Sequence, residues 1–450
     1  MSLRKLIQKT RIYADAAAGT PISKNATKEL VQLLGVYGNA GALHKEALEA
    51  KAAMDEAREK IAKAIGAHSD EIIFTASGTE SNNLAIQGIL RPLLQERGEL
   101  HAITCAIEHQ SVLEPLRALE VEGLYVTELP VDSQGFVSLE QLKEAINEQT
   151  VFISIQLVNS EVGTIEPVHE IAKAIRQAKR SRANQLHPTP ALGRSGPLGQ
   201  VQPSLQGGVA LPVLPLYFHT DAAQAPLWMP LRVDQLGVDL MTLDAQKVLG
   251  PKGVGCLYVR RGSDIEPVLR GGVQEFNLRA GTPNTPLAGS FGVAMAEAAS
   301  GVEARAEKTA AMRDFLYTEI KKRIPDVLVN GPVLDLHLRE AKLHAREEKQ
   351  NEKRELKKRV ANNLNISIPG LDAEMAVIAL DVEGVAVSTR SACNIGSDEP
   401  SHVIKALGVS GAMSKTAIRI TLLPDLTKKD ALYIAEALVK VVKRYRSEVY

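Results

Sequence analysis

The strongest constraint on the fold is a repeated alternation of short apolar runs with segments of helical periodicity. The runs are rich in β-branched residues, end in small or polar residues, and are each followed by helix-forming sequence. They cover residues 71–75, 101–106, 151–157, 215–218, 238–243 and 255–259. This alternation predicts an α/β domain with a mostly parallel sheet. In such sheets functional groups gather at the carboxyl ends of the strands.

Lys247 lies just beyond one of these runs and is followed by the turn Gly250-Pro251-Lys252-Gly253. The preceding run ends in Asp221, and Gln224 follows one turn later. If the two runs are neighbouring parallel strands, the acid, the amide and the lysine meet at one edge. A carboxylate facing a ring nitrogen and a lysine that holds the cofactor covalently are what pyridoxal phosphate requires of a protein. A lysine beside a turn is far more often a surface residue, so the rest of the chain has to decide.

Two further strand ends carry residues of interest. The turn 76–83 leads from a strand into a helix that starts near Gly78 and Thr79, where free backbone N–H groups and the helix dipole favour an anion. Taken alone, such a turn is more often a simple N-cap. His109 follows the next strand; a lone histidine is more often a satisfied polar residue than a catalytic one, but this position favours catalysis.

Charge and composition exclude several classes of protein. Lys plus Arg and Asp plus Glu both number 53, which argues against a nucleic-acid or membrane-surface binder. No apolar run reaches the roughly 18–20 residues of a membrane span, and the basic first eleven residues lack the apolar core of a signal peptide. We therefore predict a cytoplasmic protein without a membrane partner.

The three cysteines are widely spaced and show no metal-ligand pattern, so we predict no metal site. Cys256 lies inside an apolar strand and Cys105 at the end of another, and both are expected to be buried. Cys393 lies in a loop of small and polar residues, which is unusual for a free cysteine. Cys393 is therefore the candidate nucleophile.

The chain divides into two predicted domains. Residues 15–286 form the large domain, and residues 1–14 with 287–450 form a smaller α+β domain that begins with one long helix, 287–323. Two segments interrupt the pattern and have no assigned function. Residues 180–214 are rich in Pro, Gly, Gln and Ser and predict a loop insertion. Residues 335–359 are densely charged with mixed signs and predict a solvated excursion.

Together these stretches resemble one family, the pyridoxal-phosphate-dependent cysteine desulfurases, which are class V relatives of the aspartate aminotransferases. Any one match is weak, but their order and spacing over nearly the whole chain are specific. The resemblance implies a large domain with a mostly parallel seven-stranded sheet flanked by helices, plus a smaller α+β domain. The matching residues are Gly38-Asn39, Leu43-His44, 72–83, Glu108-His109, His219-Thr220-Asp221 with Gln224, Lys247 with 250–253, Gln274-Glu275, 279–282, Ser391-Ala392-Cys393, 399–403 and Arg419.

The resemblance assigns roles around the cofactor ring. Lys247 would hold pyridoxal 5'-phosphate and later move protons at the substrate carbon. Asp221 would pair with the protonated ring nitrogen, and Gln224 would bond the phenolic oxygen. His109 would stack on the ring and assist proton transfer.

Around the phosphate, the resemblance is less complete. Gly78 and Thr79 would hold it at the helix start, and Thr282 would reach the phosphate of the partner subunit in a homodimer. The family usually has Ser-x-His before its lysine, and here those places are Asp244 and Gln246. Ser160 replaces the second Asn of the usual Asn-Asn-Glu. Gln246 can still donate a hydrogen bond, but a carboxylate facing a phosphate is unfavourable unless it is turned away or protonated.

For the substrate, Arg419 would bind the carboxylate, since a guanidinium fork suits that group, and Asn39 lies in the stretch that forms the substrate entrance. The Cys393 thiolate would take the sulfur as a persulfide while L-cysteine becomes L-alanine. The sulfur would pass to an acceptor protein for iron–sulfur clusters or tRNA thiolation.

Two alternative functions stay open at this point. A selenocysteine lyase or another pyridoxal-phosphate-dependent lyase or aminotransferase uses the same residues. A non-catalytic binding protein of a sulfur pathway would have lost tight cofactor binding through Asp244 and Ser160.

Overall fold

The fold is known from a computed structural model, which describes residues 11–186, 214–334, 358–389, 400–409 and 411–448. Within these residues the polypeptide forms twelve strands in three sheets. The strands are β1 Ile12–Tyr13, β2 Ile72–Thr75, β3 Leu100–Cys105, β4 Leu124–Leu129, β5 Thr150–Ser154, β6 Tyr217–Asp221, β7 Leu240–Asp244, β8 Gly255–Val259, β9 Leu328–Val329, β10 Asn363–Ser367, β11 Val385–Ala386 and β12 Ala417–Thr421.

The largest sheet has seven strands in the order β2-β8-β7-β6-β5-β3-β4. Only β8 runs antiparallel to its neighbours β2 and β7, and the other four pairs are parallel. Strands β3 and β5 are buried at every residue, as is typical of a sheet covered on both faces. The predicted α/β fold with a mostly parallel seven-stranded sheet is therefore confirmed. Because β2, β6 and β7 point the same way, their carboxyl ends share one edge.

Helices flank this sheet and build the rest of the chain. Amphipathic patterns and local caps explain most of their positions; for example, the Ser77 hydroxyl accepts the Glu80 N–H at the start of the third helix. The helices are α1 Lys24–Leu33, α2 Lys45–Ile65, α3 Gly78–Arg97, α4 Gln110–Glu120, α5 Leu139–Ala145, α6 Val168–Leu186, α7 Val233–Leu236, α8 Thr285–Ala299, α9 Val302–Arg323, α10 Ala373–Val382, α11 His402–Ala406 and α12 Lys428–Glu448.

The C-terminal part of the chain forms a separate hydrophobic cluster. It unites the antiparallel sheet β12-β10-β9 with α12, and includes Ile366, Ile418 and Leu438. Ile12 joins it because β1 pairs in parallel with β11. The exact domain boundaries, 15–286 and 1–14 with 287–450, stay a prediction.

The predicted single helix 287–323 is wrong in one respect, because the structure has two helices there, α8 and α9. Ser300 and Gly301 separate them, and Gly301 has a left-handed φ of 62° that an α-helix does not contain. Helical periodicity continues on both sides of the break, so the pattern alone did not reveal it.

Both predicted insertions also need corrected boundaries. Helix α6 continues to Leu186, so the first residues of the 180–214 segment are helical rather than loop. Arg359 is 6% exposed, and its guanidinium donates to the carbonyls of Pro332 and Val162. The predicted solvated segment 335–359 therefore does not include Arg359, because this residue is buried and its guanidinium is hydrogen-bonded to backbone carbonyls. Residues 187–213 and 335–357 lie outside the described residues.

Among the helices that the structure describes, none is both long and apolar enough to cross a bilayer.

The loop after β5 contains a buried acid with an altered titration. Glu166 is 2% exposed, and its Oε2 accepts the Val137 N–H at 3.3 Å. Burial raises the pKa of Glu166 to about 8, with a further contribution from Asp132. In the unfolded chain this carboxyl ionises near pH 4.5, so its contribution to stability is present below that pH and is lost as pH rises through 8.

We predict that Glu166→Gln becomes more stable relative to the wild type as pH rises. The amide keeps an acceptor for Val137 and removes the cost of ionising a buried acid. The difference in free energy of unfolding between pH 5 and pH 9 should be roughly 1 kcal/mol or more, measured by thermal or urea unfolding. Glu144→Gln, on the exposed face of α5, is the control. A difference that does not vary with pH would contradict the prediction.

Candidate functional site

Lys247 and Gln224 meet at the shared edge of the sheet. Lys247 lies in a single 3₁₀ turn directly after β7, and its Nζ donates to the carbonyls of Ala17 at 2.9 Å and Ala18 at 2.7 Å. Gln224 Nε2 donates to the same Ala17 carbonyl at 2.9 Å. The two side chains therefore share an acceptor, and this acceptor belongs to the segment that follows β1.

Asp221, the last residue of β6, is held in place from two sides. Its Oδ1 accepts the Ala223 N–H at 3.0 Å, and its Oδ2 accepts Asn82 Nδ2 at 2.8 Å. Asn82 lies one helical turn after Gly78 on α3, so this bond joins the start of α3 to the end of β6. The same Nδ2 donates to Ser111 Oγ at 2.8 Å.

Ser111 extends this chain of hydrogen bonds to His109, the N-cap of α4. His109 Nδ1 accepts the Ser111 N–H at 3.1 Å and lies 2.7 Å from Ser111 Oγ. Because Nδ1 accepts from a backbone N–H, the neutral ring carries its proton on Nε2. The sequence analysis missed Asn82 and Ser111. Asn82 could have been found, because it lies one turn beyond the predicted anion site.

Glu108 is a fully buried acid beneath the site. Its Oε1 accepts the Gln156 N–H at 2.5 Å and the Cys105 thiol at 3.4 Å. Within the described part of the chain its Oε2 has no partner. Burial, and next the charge of Asp221, raise the pKa of Glu108 well above its usual range. An unpaired buried charge is costly, so burial favours the neutral form of Glu108.

Asp244 occupies the start of α3, where the sequence predicts an anion site. It is 7% exposed, and its Oδ2 accepts the Gly78 N–H at 3.2 Å. Gln246 faces the same carboxylate: its N–H donates to Oδ1 at 3.1 Å and its Nε2 to Oδ2 at 3.3 Å. Thr79 is exposed beside this group. The helix start thus binds a carboxylate of the protein itself.

Arg419 projects from β12 and is 1% exposed. Its Nη2 donates to Asp15 Oδ1 at 2.8 Å, and its Nη1 to the backbone carbonyl of Ser160 at 3.3 Å. Among the described residues its Nε has no partner. Ser160 therefore contacts Arg419 through its main chain.

The predicted site residues Asn39 and Thr282 are both exposed. No hydrogen bond between described residues joins either of them to Lys247 or Asp221. Cys393 lies outside the described residues. Over the same described ranges, no group of three or more His, Cys, Asp or Glu side chains could hold a metal ion. Cys105 and Cys256 are buried as predicted, and burial raises the pKa of both thiols.

Described residues that precede and follow Cys393 in the chain, Ser388, Ser401 and His402, are hydrogen-bonded near the site. The main chain of Ser388 pairs with that of Arg419 in both directions. Ser401 Oγ donates to Glu161 Oε2 at 2.5 Å, and His402 Nε2 lies 2.9 Å from the carbonyl of Glu108. Ser388, before Cys393, therefore lies beside Arg419, and His402, after Cys393, lies beside Glu108.

We predict that Glu108 acts as a neutral acid. Glu108→Gln should keep the fold within about 1 kcal/mol, because the amide oxygen can still accept from Gln156. Glu108→Ala should lose about 2–4 kcal/mol, because it leaves a cavity and an unpaired buried N–H. Urea unfolding of both variants measures the difference. Equal destabilisation by the two substitutions would show that the ionised form is required.

Comparisons with known proteins identify the family of this chain. The family described as Aminotransferase class-V matches residues 12–181 and 197–345. A protein of Dictyoglomus turgidum named cysteine desulfurase IscS is 39% identical over 440 residues, which is 98% of this chain and 96% of that protein. A Methanosarcina thermophila protein of the same name is 34% identical over 97% of this chain and 93% of its own.

Solved structures are also similar. A NifS-like protein superposes with a TM-score of 0.79 at 28% identity, covering 97% of this chain and 100% of that one. A structure described as SspA in complex with cysteine gives a TM-score of 0.70 at 30% identity, over 92% of this chain and 99% of the other. The chain belongs to the cysteine desulfurase family of class-V aminotransferases.

Proposed function

We propose that this protein is a pyridoxal-phosphate-dependent cysteine desulfurase, which converts L-cysteine to L-alanine and takes the sulfur onto Cys393. The observation that carries the proposal is that Asp221 ends β6 and Lys247 directly follows β7, and that these two strands are neighbouring and parallel. A lysine amine and a fixed carboxylate on one sheet edge suit a cofactor with an aldehyde and a ring nitrogen. The family membership of the chain supports the same reading.

The residues at this edge fit the ring of the cofactor. Asp221 uses only part of its acceptor capacity on Asn82 and Ala223, so it can also accept a ring N–H. Gln224 would bond the phenolic oxygen, and Lys247 would hold the cofactor covalently. When bound, pyridoxal phosphate supplies an electron-withdrawing ring that stabilises negative charge on the substrate carbon. Gly78, Thr79 and Gln246 remain the predicted phosphate residues, Ser160 remains a predicted contact of the cofactor, and Thr282 remains the predicted phosphate residue of the partner subunit.

The proton transfers fall to Lys247 and His109. Lys247 would take the proton from the substrate's Cα and return one to form alanine, since its amine lies at the same edge as the ring. The Ser111 bond fixes the tautomer of His109, which leaves Nε2–H as the proton donor of the ring. Asn82 and Ser111 act as positioning residues, because they connect His109 to Asp221.

Arg419 is proposed to bind the substrate carboxylate. Its guanidinium is buried, and its Nε has no partner among the described residues. Asp15 pairs with another nitrogen of the same guanidinium and keeps it oriented. Asn39 would act at the substrate entrance.

Cys393 is proposed as the sulfur acceptor. Its thiolate attacks the sulfur of the bound cysteine, the substrate's C–S bond breaks with its electron pair remaining on carbon, and a persulfide forms on Cys393. That carbon is then protonated, and alanine leaves. The bonds of Ser388 to Arg419 and of His402 to the Glu108 carbonyl support this role, because both flanks of Cys393 are tied to the site. The persulfide sulfur would pass to an iron–sulfur scaffold protein or a tRNA-thiolation relay. A reactive free thiol fits a cytoplasmic location.

Three variants test this function. We expect the purified protein to absorb visible light and to release alanine and, with a reductant, sulfide from L-cysteine. Lys247→Ala should lose both the absorbance and alanine release, whereas Lys252→Ala, an exposed lysine nearby, should keep both. Cys393→Ala should keep the absorbance and lose alanine release. A colourless protein that pyridoxal phosphate cannot reconstitute would favour a non-catalytic role instead.

A homodimer is also proposed, because large apolar side chains are exposed together beside α2. Tyr37 is 83% and Leu43 is 92% exposed between α1 and α2, and Leu48 is 54% exposed on α2 itself. Phe276 is 55% exposed and lies over the Arg58 guanidinium of α2 at 5.0 Å. Apolar side chains grouped in this way are typical of a covered interface.

We predict that Leu43→Asp weakens this dimer by about tenfold or more, because a carboxylate would be buried in the interface. Light scattering over a dilution series measures the dissociation. Val121→Asp is the matched control, since Val121 is 91% exposed at the C-terminal end of α4. Equal dissociation constants for both variants would place the interface elsewhere.

A further inference from the structure

We propose that the Asp244 carboxylate competes with the cofactor's phosphate for the start of α3, so that this protein binds phosphate-bearing cofactor more weakly than its helix terminus would allow. The inference rests on the proposed function, since it concerns the same cofactor. It concerns affinity for one end of that cofactor and leaves the reaction unchanged.

The first step is the placement of Asp244. Its Oδ2 accepts the Gly78 N–H at 3.2 Å, which is one of the free donors at the start of α3. The Asp244 side chain also packs closely against Gly78: a Cβ added to Gly78 would lie 3.3 Å from Asp244 Oδ2. Asp244 therefore fills the place at the helix start that an anionic ligand would use.

The second step is the distance between this place and Asp221. Asn82 bonds Asp221 and lies one turn after Gly78, and a helix rises 1.5 Å per residue, so the two positions are about 6 Å apart along α3. A small planar ligand whose ring nitrogen meets Asp221 would therefore bring its far end to the start of α3. In pyridoxal phosphate that far end is the phosphate.

The third step is the state of the neighbouring donors and cations. Gln246 directs both its main-chain and its side-chain N–H at Asp244, so it already serves a carboxylate. Arg279, the cation beside the first turn of α3, is paired with Glu80 at 2.8 Å. A phosphate entering here meets a carboxylate of like charge, and the donors of Gly78 and Gln246 are already bonded to that carboxylate, which disfavours its binding.

Asp244→Asn tests the competition. The amide oxygen can still accept the Gly78 N–H, so the helix keeps its cap, and unfolding without cofactor checks that stability is retained. Titrating cofactor-free protein with pyridoxal 5'-phosphate and, separately, with pyridoxal gives two dissociation constants by absorbance. We expect the variant to bind the phosphorylated cofactor at least about tenfold more tightly, with pyridoxal unchanged. Asp244→Ser should have the same effect as Asp244→Asn: tighter binding of the phosphorylated cofactor and unchanged binding of pyridoxal.

Glu144→Gln is the control, because it also removes one carboxylate, but Glu144 is exposed on α5 and forms no part of the start of α3. It should leave the ratio of the two dissociation constants near that of the wild type. Unchanged or weaker binding of the phosphorylated cofactor by Asp244→Asn overturns the inference, as does an equal gain for pyridoxal or an equal effect of Glu144→Gln. If no variant and no wild-type protein binds either cofactor, the proposed function fails along with it.

Discussion

The hydrogen bond between Asn82 and Asp221 is the contact on which the rest of the site depends. It joins the start of α3 to the end of β6, two elements that are far apart in sequence. It can form only because β2, β6 and β7 end at the same edge of the sheet. Through Ser111 the same asparagine reaches His109, so one side chain orients both the carboxylate and the imidazole.

Glu108, a buried acid, is close enough to both Asp221 and Glu166 to interact with them electrostatically. Glu108 and Glu166 both have raised pKa values, because burial removes each carboxyl from water. A neutral Glu108 avoids a second negative charge next to Asp221. The single charge of Asp221 is thereby kept available for a cationic group of a ligand. His219, also buried at this edge, has its pKa lowered to about 4 and is neutral as well.

The two ends of the proposed cofactor site differ in a way that follows from Asp244. At the ring end, Lys247, Gln224 and Asp221 offer groups that suit pyridoxal. At the opposite end a carboxylate already caps α3 and engages Gln246. Asp244 and Gln246, which replace the family's usual Ser and His, are thus a single local arrangement, because Gln246 donates hydrogen bonds to Asp244.

The sequence by itself determined the fold class, the edge of the sheet that carries the functional groups, and the burial of Cys105 and Cys256, because these follow from periodic local patterns. It did not reveal the break at Gly301, since the helical pattern continues on both sides of it, nor the burial of Arg359, whose partners Pro332 and Val162 are distant along the chain. Only the tertiary structure showed that Asn82 bonds Asp221 and that Asp244 caps α3. Contacts of this kind depend on how strands and helices pack together, and a sequence pattern does not record which residues become neighbours in space.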